Sequence, residues 1–289
     1  MKRVKIKKSK KTAGKKKAKT IHKKSEVKLK DASKKDIDNE IKLKDTSKKD
    51  KKSEVIGRVP IGIKEFDKMT EGGFEKNSIN LVVGGLGSSK TIFATEFLME
   101  GIRNDENVLH ISFEESKEEF FRNMGRLNWD LKKWEKSGKF TFLEYSPEKV
   151  KMMLDEGGGA IESMVYNKKI KRLVIDSISS FTLLFEDKSS SRQAILSLFD
   201  ILRKWNLTIL LTLQKDPLEE KDEGYSSTEL QADSSILLYN IRTKGKRRRF
   251  LEILKMRGTD HSTQVHEFYI KDGIKIKGSV NLDQILKNK

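Results

Sequence analysis

The sequence predicts an α/β fold with a mostly parallel, twisted sheet, helices on both of its faces and antiparallel hairpins at the C-terminal end. Three observations predict it. Short runs of Val, Ile and Leu alternate with helix-like segments, a glycine-rich turn joins the first run to the first long helix-like segment, and the last apolar runs follow one another without helices. Parallel strands are buried on both faces and need crossover connections, so this alternation is typical of a parallel sheet.

Five apolar runs are predicted as the strands of that sheet: Ile79–Val83, Val108–Ser112, Phe140–Leu143, Leu173–Ile175 and Thr208–Leu213. The helix-like segments that alternate with them are Lys90–Arg103, Lys117–Arg126, Glu148–Tyr166 and Arg192–Trp205. Three later runs are predicted as hairpin strands that extend the sheet: Ser235–Ile241, Arg249–Met256 and His266–Ile270. These assignments rest on the period of the apolar residues and on the length of each run.

We divide the chain into a lysine-rich tail over residues 1–55, one α/β domain over 56–283 and a polar end over 284–289. Residues 1–52 hold 23 Lys and Arg against 7 Asp and Glu, which is +16 of the formal net charge of +18. They contain no Phe, Tyr or Trp, and KLKDASKKD at Lys28–Asp36 returns as KLKDTSKKD at Lys42–Asp50. Such a low-complexity segment cannot bury enough apolar surface to order itself, so we expect disorder.

The basic tail leaves two interpretations open. Clustered lysines attract nucleic acid or another polyanion in a salt-dependent way, and the same cluster is typical of a solvated arm without a partner. The chain also has no cysteine, no apolar run long enough to cross a bilayer and no secretory signal. These absences exclude disulfides and predict a cytoplasmic protein without a membrane partner.

The glycine-rich turn is GGLGSSKT, Gly84–Thr91, which nearly matches the phosphate-binding loop G-x-x-x-x-G-K-[ST]. It follows the strand INLVV and precedes the helix TIFATEFLMEGI, the context that such a loop requires. Loop N–H groups would cradle a polyphosphate, Lys90 would reach its β- and γ-phosphates and Thr91 would face Mg²⁺. The predicted nucleotide-binding residues are Gly84, Gly85, Leu86, Gly87, Ser88, Ser89, Lys90, Thr91, Ile92 and Gln214. Gln214, at the end of TILLTLQ, is interpreted as a γ-phosphate sensor or as the start of a loop.

Carboxylates follow two of the predicted strands. Asp176 stands at the end of the strand in RLVIDS, where it would hold Mg²⁺-bound water. Glu114 and Glu115 of SFEES stand at the carboxyl end of the strand after the loop helix, which opens onto the ligand crevice of such a sheet. One of them would orient and deprotonate the attacking water. The alternative is a helix N-terminus capped by Ser116, where Glu suits the helix dipole.

Two basic segments follow in the hairpin region. Lys255 and Arg257 lie two residues apart in LEILKMRGTDHS, so on a strand they project to the same face. On an exposed face such charges are usually only solvated. KGKRRR, Lys244–Arg249, is interpreted either as a charged hairpin tip or as a phosphate contact.

These motifs together resemble the KaiC-type branch of the RecA-like ATPases, in its single-domain archaeal and bacterial form. The resemblance runs from about Arg58 to Ile276, through RVPIGIKEFDKMTEGGF, the phosphate loop, NVLHISFEES, RNMGRLNWDL, LVIDSISS and LEILKMRGTDHS. It implies a RecA-like P-loop core that assembles into rings, usually hexamers, with ATP and Mg²⁺ bound between subunits. It also implies that Glu114 and Glu115 are catalytic, and that Lys255 and Arg257 act in trans on the ATP of the neighbouring subunit.

Ser89 departs from the family pattern, which has glycine at that position. Glycine supplies a backbone conformation that a side chain penalises, so a serine forced into it costs of order 1–3 kcal/mol. We expect nucleotide binding to persist and hydrolysis to be the more sensitive property. The chain carries one copy of the domain, whereas the circadian-clock members carry two and a phosphorylated segment. The clock function is therefore not carried over.

Three functions follow from these motifs. The leading one is a Mg·ATP-dependent, ring-forming ATPase that acts as a regulatory or signalling switch with an unidentified protein partner; the resemblance allows autokinase activity, which no residue indicates. The second is a nucleic-acid-binding ATPase similar to recombinase paralogues, favoured by the tail and by KGKRRR but opposed by the acidic loop KDPLEEKDEGYSS after Gln214. The third is a scaffold that holds ATP with little hydrolysis, which only Ser89 supports.

Overall fold

In the computed structural model, the described residues are 57–146, 148–149, 152, 156, 159–219 and 227–287. The strands there are β1 (Arg58–Val59), β2 (Phe74–Glu75), β3 (Ile79–Gly84), β4 (Asn107–Ser112), β5 (Phe140–Glu144), β6 (Ile170–Asp176), β7 (Thr208–Gln214), β8 (Ser234–Thr243), β9 (Lys246–Met256), β10 (Val265–Ile270) and β11 (Ile274–Val280). The helices there are α1 (Lys64–Met69), α2 (Lys90–Arg103), α3 (Lys117–Gly125), α4 (Leu131–Lys136), α5 (Gly159–Asn167), α6 (Ile178–Thr182), α7 (Lys188–Lys204), α8 (Ser227–Gln231) and α9 (Leu282–Leu286).

Nine of the strands form one sheet in the order β11-β10-β9-β8-β3-β7-β6-β4-β5, and β1 pairs with β2 separately. The six strands from β8 to β5 in this order are parallel. The strands β9, β10 and β11 each pair antiparallel with their neighbours. The α/β class and the C-terminal antiparallel hairpins that the sequence predicts are confirmed.

The central strand β3 is buried because its side chains alternate between two hydrophobic cores. Ile79, Leu81 and Val83 belong to one core, together with residues of α5, α6 and α7. Val82 belongs to the other core, together with residues of α1, α2 and α3. Successive side chains of a strand point to opposite faces, so helices cover both faces of the sheet here. The loop after β3 consequently emerges at the carboxyl edge of the sheet, between β7 and β8.

The observed bounds of the long helices match the predicted bounds to different extents. The helix α2 spans the predicted residues Lys90–Arg103. The helix α7 begins earlier than predicted because Asp187 caps it by accepting the Ser190 N–H. Of the predicted helix Glu148–Tyr166 the structure describes Gly159–Asn167 as α5, and several residues before it lie outside the described ones. No sequence pattern predicts the five- and six-residue helices α1, α4, α6, α8 and α9, since so short a segment shows too little periodicity.

The structure describes the C-terminal end of the chain up to residue 287, and it describes no residue before 57. The polar end predicted over 284–289 overlaps α9, which Asn281 caps and which buries Ile285 in the core shared with α7. The lysine-rich tail predicted over 1–55 lies outside the described residues, and its disorder stays a prediction. In the described ranges, no helix is both long enough and apolar enough to span a membrane.

Candidate nucleotide-binding site

The phosphate loop follows β3 and folds tightly over the end of that strand. A side chain at Gly84 would not fit, because a Cβ there would lie 2.8 Å from the carbonyl oxygen of Leu238 and 2.3 Å from the Ser88 hydroxyl. Gly87 has φ +68°, in the left-handed region that favours glycine. Leu86 forms the tip of the loop, and its side chain is 79% exposed. The loop therefore depends on two of its three glycines for its path.

Ser89 adopts the backbone conformation for which the motif has glycine. Its φ of 80° and ψ of 30° lie in the left-handed region, which costs an L-residue of order 1 kcal/mol relative to glycine. The Ser89 carbonyl oxygen accepts the Phe93 N–H at 3.0 Å, so this conformation leads directly into α2. The neighbouring Ser88 hydroxyl is buried and has no hydrogen-bond partner among the described residues. The loop thus contains a strained residue, Ser89, next to Ser88, whose hydroxyl has no hydrogen-bond partner among the described residues.

Lys90 begins α2 and turns its ammonium group back over the loop. Its Nζ donates to the carbonyl oxygens of Gly84 at 2.8 Å and Gly85 at 3.2 Å. Burial lowers the pKa of Lys90, and the carboxylates of Asp176 and Glu114 oppose that shift. Lys90 enters no ion pair with another described residue. A half-buried cation held by loop carbonyls suits a polyphosphate, so these residues fit ATP.

The predicted metal-side residues are Thr91 and Asp176. Thr91 is the second residue of α2, and Asp176 ends β6 beside Ser112 of β4. The Asp176 carboxylate accepts a short hydrogen bond from the Thr212 hydroxyl of β7. Within the described ranges no three His, Cys, Asp or Glu side chains form a metal cluster. One carboxylate and one hydroxyl suit Mg²⁺ bound together with phosphates, because Mg²⁺ usually keeps few protein ligands.

Glu114 and Glu115 follow β4 and are held by different helices. Glu114 Oε1 accepts from the hydroxyls of Ser177 at 2.6 Å and Ser180 at 2.9 Å, which cap and belong to α6. Glu115 Oε1 accepts from the side-chain amide of Asn123 in α3. Two adjacent carboxylates at the carboxyl edge are therefore anchored separately, which gives each a defined orientation.

The alternative role for these carboxylates is at the N-terminus of α3, which Ser116 caps. Ser116 caps α3 by accepting the N–H of Glu119, as the sequence suggests. The acidic residues in the first turn of α3 are Glu118 and Glu119. Glu114 and Glu115 precede the cap and are not part of the first turn of α3.

The environment of Glu115 suits a general base. Burial raises the pKa of its carboxyl above the ordinary value, and the carboxylate of Asp176 raises it further. The Asn123 amide acts in the opposite direction because it stabilises the charged form. A general base works best when its pKa approaches the operating pH. Of the two carboxylates, Glu115 is therefore our candidate for the base.

Gln214 ends β7 level with Gly84 of the loop. Its side chain is exposed, and its N–H donates to the Ser179 hydroxyl of α6 at 2.7 Å. The next residue, Lys215, donates its N–H to the Gly84 carbonyl oxygen at 3.3 Å. The end of β7 is thus tied both to the phosphate loop and to the helix that holds Glu114.

Lys255 and Arg257 lie towards the opposite end of the sheet from the phosphate loop. Leu251 of β9 is level with Gly84 across β8. Lys255 lies four residues further along β9, which is about 13 Å towards the amino end of β3. Both side chains donate to the carbonyl oxygen of Leu230, Lys255 at 3.3 Å and Arg257 at 3.4 Å. They share a face, as the spacing predicts, and the structure does not bring them to the loop of their own chain.

Two residues of the β8–β9 hairpin contact the loop and are absent from the sequence-based set. Asn240 Nδ2 donates to the Leu86 carbonyl oxygen at 3.0 Å, and Arg249 Nε donates to the Gly87 carbonyl oxygen at 3.0 Å. They are directly opposite each other in the hairpin. The KGKRRR run contains Arg249 and is the one sequence signal for this contact. The contact itself depends on β8 lying beside β3, which no local pattern shows.

The sequence of this chain is similar to those of known proteins, and the similarity indicates its family. The family described as "ATPase: KaiC" matches residues 59–280. Circadian clock protein KaiC3 of Synechocystis sp. is 34% identical over 236 residues, 78% of this chain and 46% of its own length. Circadian clock oscillator protein KaiC of Synechococcus elongatus is 30% identical over 245 residues, 81% of this chain and 47% of its own length. The chain thus spans about half the length of the curated relatives it matches.

A solved structure agrees with the family match. The crystal structure of a KaiC-like protein from Pyrococcus horikoshii OT3 superposes with a TM-score of 0.68 and 32% identity, covering 77% of this chain and 99% of that one. The family match also contains the whole strand–loop–helix site and the segment of Lys255 and Arg257. The chain therefore belongs to the KaiC family of ATPases and has the RecA-like fold of that family.

Proposed function

We propose that this chain is a Mg²⁺-dependent ATPase that assembles into rings, with ATP bound between subunits, and that acts as a regulatory switch. The observation that carries the proposal is the separation of the phosphate loop from Lys255 and Arg257 within one chain. A second copy that docks the amino edge of its sheet near the loop would supply both cations to the phosphates. Such a head-to-tail contact, repeated with a suitable rotation, closes into a ring.

The residues of one chain divide the work of phosphoryl transfer. Lys90 and the loop N–H groups would bind the β- and γ-phosphates. Thr91 and Asp176 would hold Mg²⁺, which neutralises charge on the phosphates when it is bound. Glu115 would take a proton from the attacking water. Glu114, fixed by two serine hydroxyls, would orient that water.

The neighbouring copy would complete the site with its two cations. Positive charge delivered across an interface stabilises the charge that spreads over the transferring phosphoryl oxygens. Burial lowers the pKa of Lys255, and the adjacent Arg257 lowers it further, so an additional anion would favour the charged form of Lys255. The side chain of Arg257 is 58% exposed, which leaves its guanidinium accessible to a neighbour.

The regulatory role is proposed because α6 forms hydrogen bonds with two parts of the candidate site. Through its serines this helix contacts Glu114 and the N–H of Gln214. A change at the γ-phosphate would therefore move α6, which ends beside Leu183, a residue 84% exposed. An exposed apolar residue next to a moving helix is a surface that a protein partner could read. The clock role stated in the relatives' names remains theirs.

ATP turnover by the full chain, with and without Mg²⁺, tests the proposal. We expect Lys90→Ala and Glu115→Gln to lower turnover by about a hundredfold or more. We expect Arg257→Ala to lose turnover while it still binds ATP. Arg203→Gln is a matched control, because Arg203 also pairs with Asp233 but lies in α7.

Two further measurements complete this test. Sedimentation of the ATP-bound chain measures assembly, and γ-phosphate label retained on the protein measures autokinase activity. Full turnover by a monomer would contradict the ring. ATP binding without turnover would instead favour the scaffold function.

A further inference from the structure

Asp233 connects Arg257 to the strand that carries the phosphate loop. Its Oδ1 lies 3.2 Å from Nη1 of Arg257, and its Oδ2 accepts the N–H of Ile79, the first residue of β3, at 2.8 Å. Backbone hydrogen bonds reinforce both contacts: the Asp233 N–H donates to the Ile79 carbonyl oxygen at 2.7 Å, and the Arg257 N–H donates to the Asp233 carbonyl oxygen at 3.0 Å. One residue therefore joins the amino end of β3 to the residue that follows β9.

The ion pair anchors a side chain that is otherwise exposed. The side chain of Asp233 is 18% exposed, whereas that of Arg257 is 58% exposed. The second contact of Arg257 is longer, 3.4 Å from Nη2 to the Leu230 carbonyl oxygen. Arg203 reaches Asp233 at 3.5 Å, so Arg257 is the nearer cation. A side chain held in one orientation loses less rotamer freedom when it meets a phosphate than an unanchored one does.

We infer that Asp233 is a positioning residue for Arg257, which it holds ready for the phosphates of the neighbouring copy. This inference rests on the proposed function, because Arg257 has to act in trans. Since Asp233 also bonds Ile79, the six-residue strand β3 carries the loop for its own nucleotide at one end and the anchored cation for the next nucleotide at the other. Two consecutive sites of a ring would thus be connected through a single rigid strand.

Asp233→Asn is the direct variant, because asparagine keeps an oxygen acceptor for the Ile79 N–H and removes the charge that holds Arg257. We expect its kcat for ATP to fall about tenfold, since a small misplacement of a catalytic group costs up to about a hundredfold. We expect its KM to stay within about twofold of the native value, because its own loop is intact. Arg203→Gln, which removes the other arginine on the same carboxylate, should keep native kcat. Thermal unfolding within a few degrees of the native chain shows that the fold is retained, and Asp233→Ser replaces Asp233→Asn if the latter melts early.

Mixed assemblies distinguish a residue that acts on the neighbour from one that supports its own subunit. Lys90→Ala subunits have no working loop but carry native Asp233 and Arg257. Asp233→Asn subunits have a native loop but a misplaced cation. Co-expression with two tags isolates assemblies that contain both. We expect turnover several-fold above the mean of the two parents, because the Lys90→Ala subunit supplies a correctly held Arg257 to the loop of its neighbour.

Mixed assemblies of Arg257→Ala and Lys90→Ala subunits distinguish a failure of the inference from a failure of the proposed function. If the Arg257→Ala and Lys90→Ala assemblies regain turnover, and the Asp233→Asn and Lys90→Ala assemblies also regain it, the inference holds. If the former assemblies regain turnover and the latter do not, Asp233 supports its own subunit and the inference alone is wrong. If neither kind of assembly regains turnover, or if the chain stays monomeric, delivery in trans is wrong and the inference falls with it.

Discussion

Asn123 donates its side-chain amide to Oε1 of Glu115, and this contact opposes the effect of burial on the pKa of that carboxyl. The two residues belong to different elements, since Glu115 follows β4 and Asn123 lies in α3. The same helix carries Glu119, whose carboxylate raises the pKa of Glu115. The helix that follows Glu115 therefore contributes to the pKa of that carboxyl, beside the larger effect of burial.

Asn123→Leu should move the acid limb of the pH dependence of turnover. Glu115 must be ionised to act as a base, so turnover should rise with pH through its raised pKa. Loss of the Asn123 amide removes a contact that favours the charged form, so the limb should shift to higher pH. Rates of the variant and the native chain should approach each other well above both midpoints. The measurement is kcat against pH.

Ser180→Ala is the control for this shift. It removes one of the two serine donors to Glu114 and leaves the Asn123 contact intact. Its acid limb should stay at the native position. Coincident limbs for Asn123→Leu and the native chain would show that Glu115 is not the group that titrates.

Ser89→Gly should stabilise the chain and tighten ATP binding. The φ of 80° at Ser89 is accessible to glycine without steric penalty. The free energy of unfolding should rise by about 1 kcal/mol, and the ATP affinity should rise a few-fold, because the loop no longer strains to keep its shape. Chemical denaturation and ATP titration measure the two effects. Ser89→Ala keeps the penalty and should give neither gain; equal stabilisation by both variants would assign the effect to the hydroxyl instead.

His110→Phe should reduce the loss of stability in acid. His110 is buried and stacks on Phe142 with ring centroids 5.2 Å apart, and burial lowers its pKa from 6.5 to about 3. A depressed pKa means that the unfolded chain takes up the proton first, so stability present above pH 6.5 is lost as the pH falls towards 3. By pH 5 the native chain should lose roughly 2 kcal/mol from this residue relative to the variant. Denaturant unfolding at several pH values measures the free energy of unfolding of both chains. If the two free energies change with pH in parallel, the prediction is wrong.

Glu96→Gln should stabilise the chain at neutral pH. The buried Glu96 of α2 accepts the N–H of Ile274 at 2.8 Å, and burial raises its pKa. A raised pKa means that its contribution to stability is fully present below the ordinary value of 4.5 and is lost as the pH rises through the folded value. Glutamine keeps the acceptor without the charge, so the melting temperature should rise by a few degrees at pH 7. The gain should disappear near pH 4.

Glu96→Ala separates the charge from the hydrogen bond in this test. It removes the acceptor for Ile274 and leaves a buried N–H unpaired, so it should destabilise the chain by about 2 kcal/mol near pH 4. The destabilisation should be smaller at pH 7, where the variant also removes the buried charge. Identical melting of Glu96→Gln and the native chain at pH 7 and pH 4 would show that the buried charge has no net cost.

The nucleotide side of the site follows closely from local sequence. The strand, the loop and α2 are contiguous, so one motif defines their order and their spacing. Asp176, Glu114 and Glu115 end or follow parallel strands, and the carboxyl ends of such strands meet at one edge of a sheet. The short helix α6 shows no usable periodicity, and its serine contacts to Glu114 could not be anticipated from the sequence.

By itself the sequence determined the fold class and the family and predicted the residues of the phosphate loop, because apolar period, strand length and a contiguous motif are local properties. Only the tertiary structure decided that Asn123 meets Glu115, that Arg249 meets Gly87 and that Asp233 holds Arg257. It also decided that Lys255 lies far from the loop of its own chain. The last three relationships depend on the order β9-β8-β3 in the sheet. That order is a long-range pairing set by burial of both faces of the sheet, and it leaves no periodic trace in the residues that it brings together.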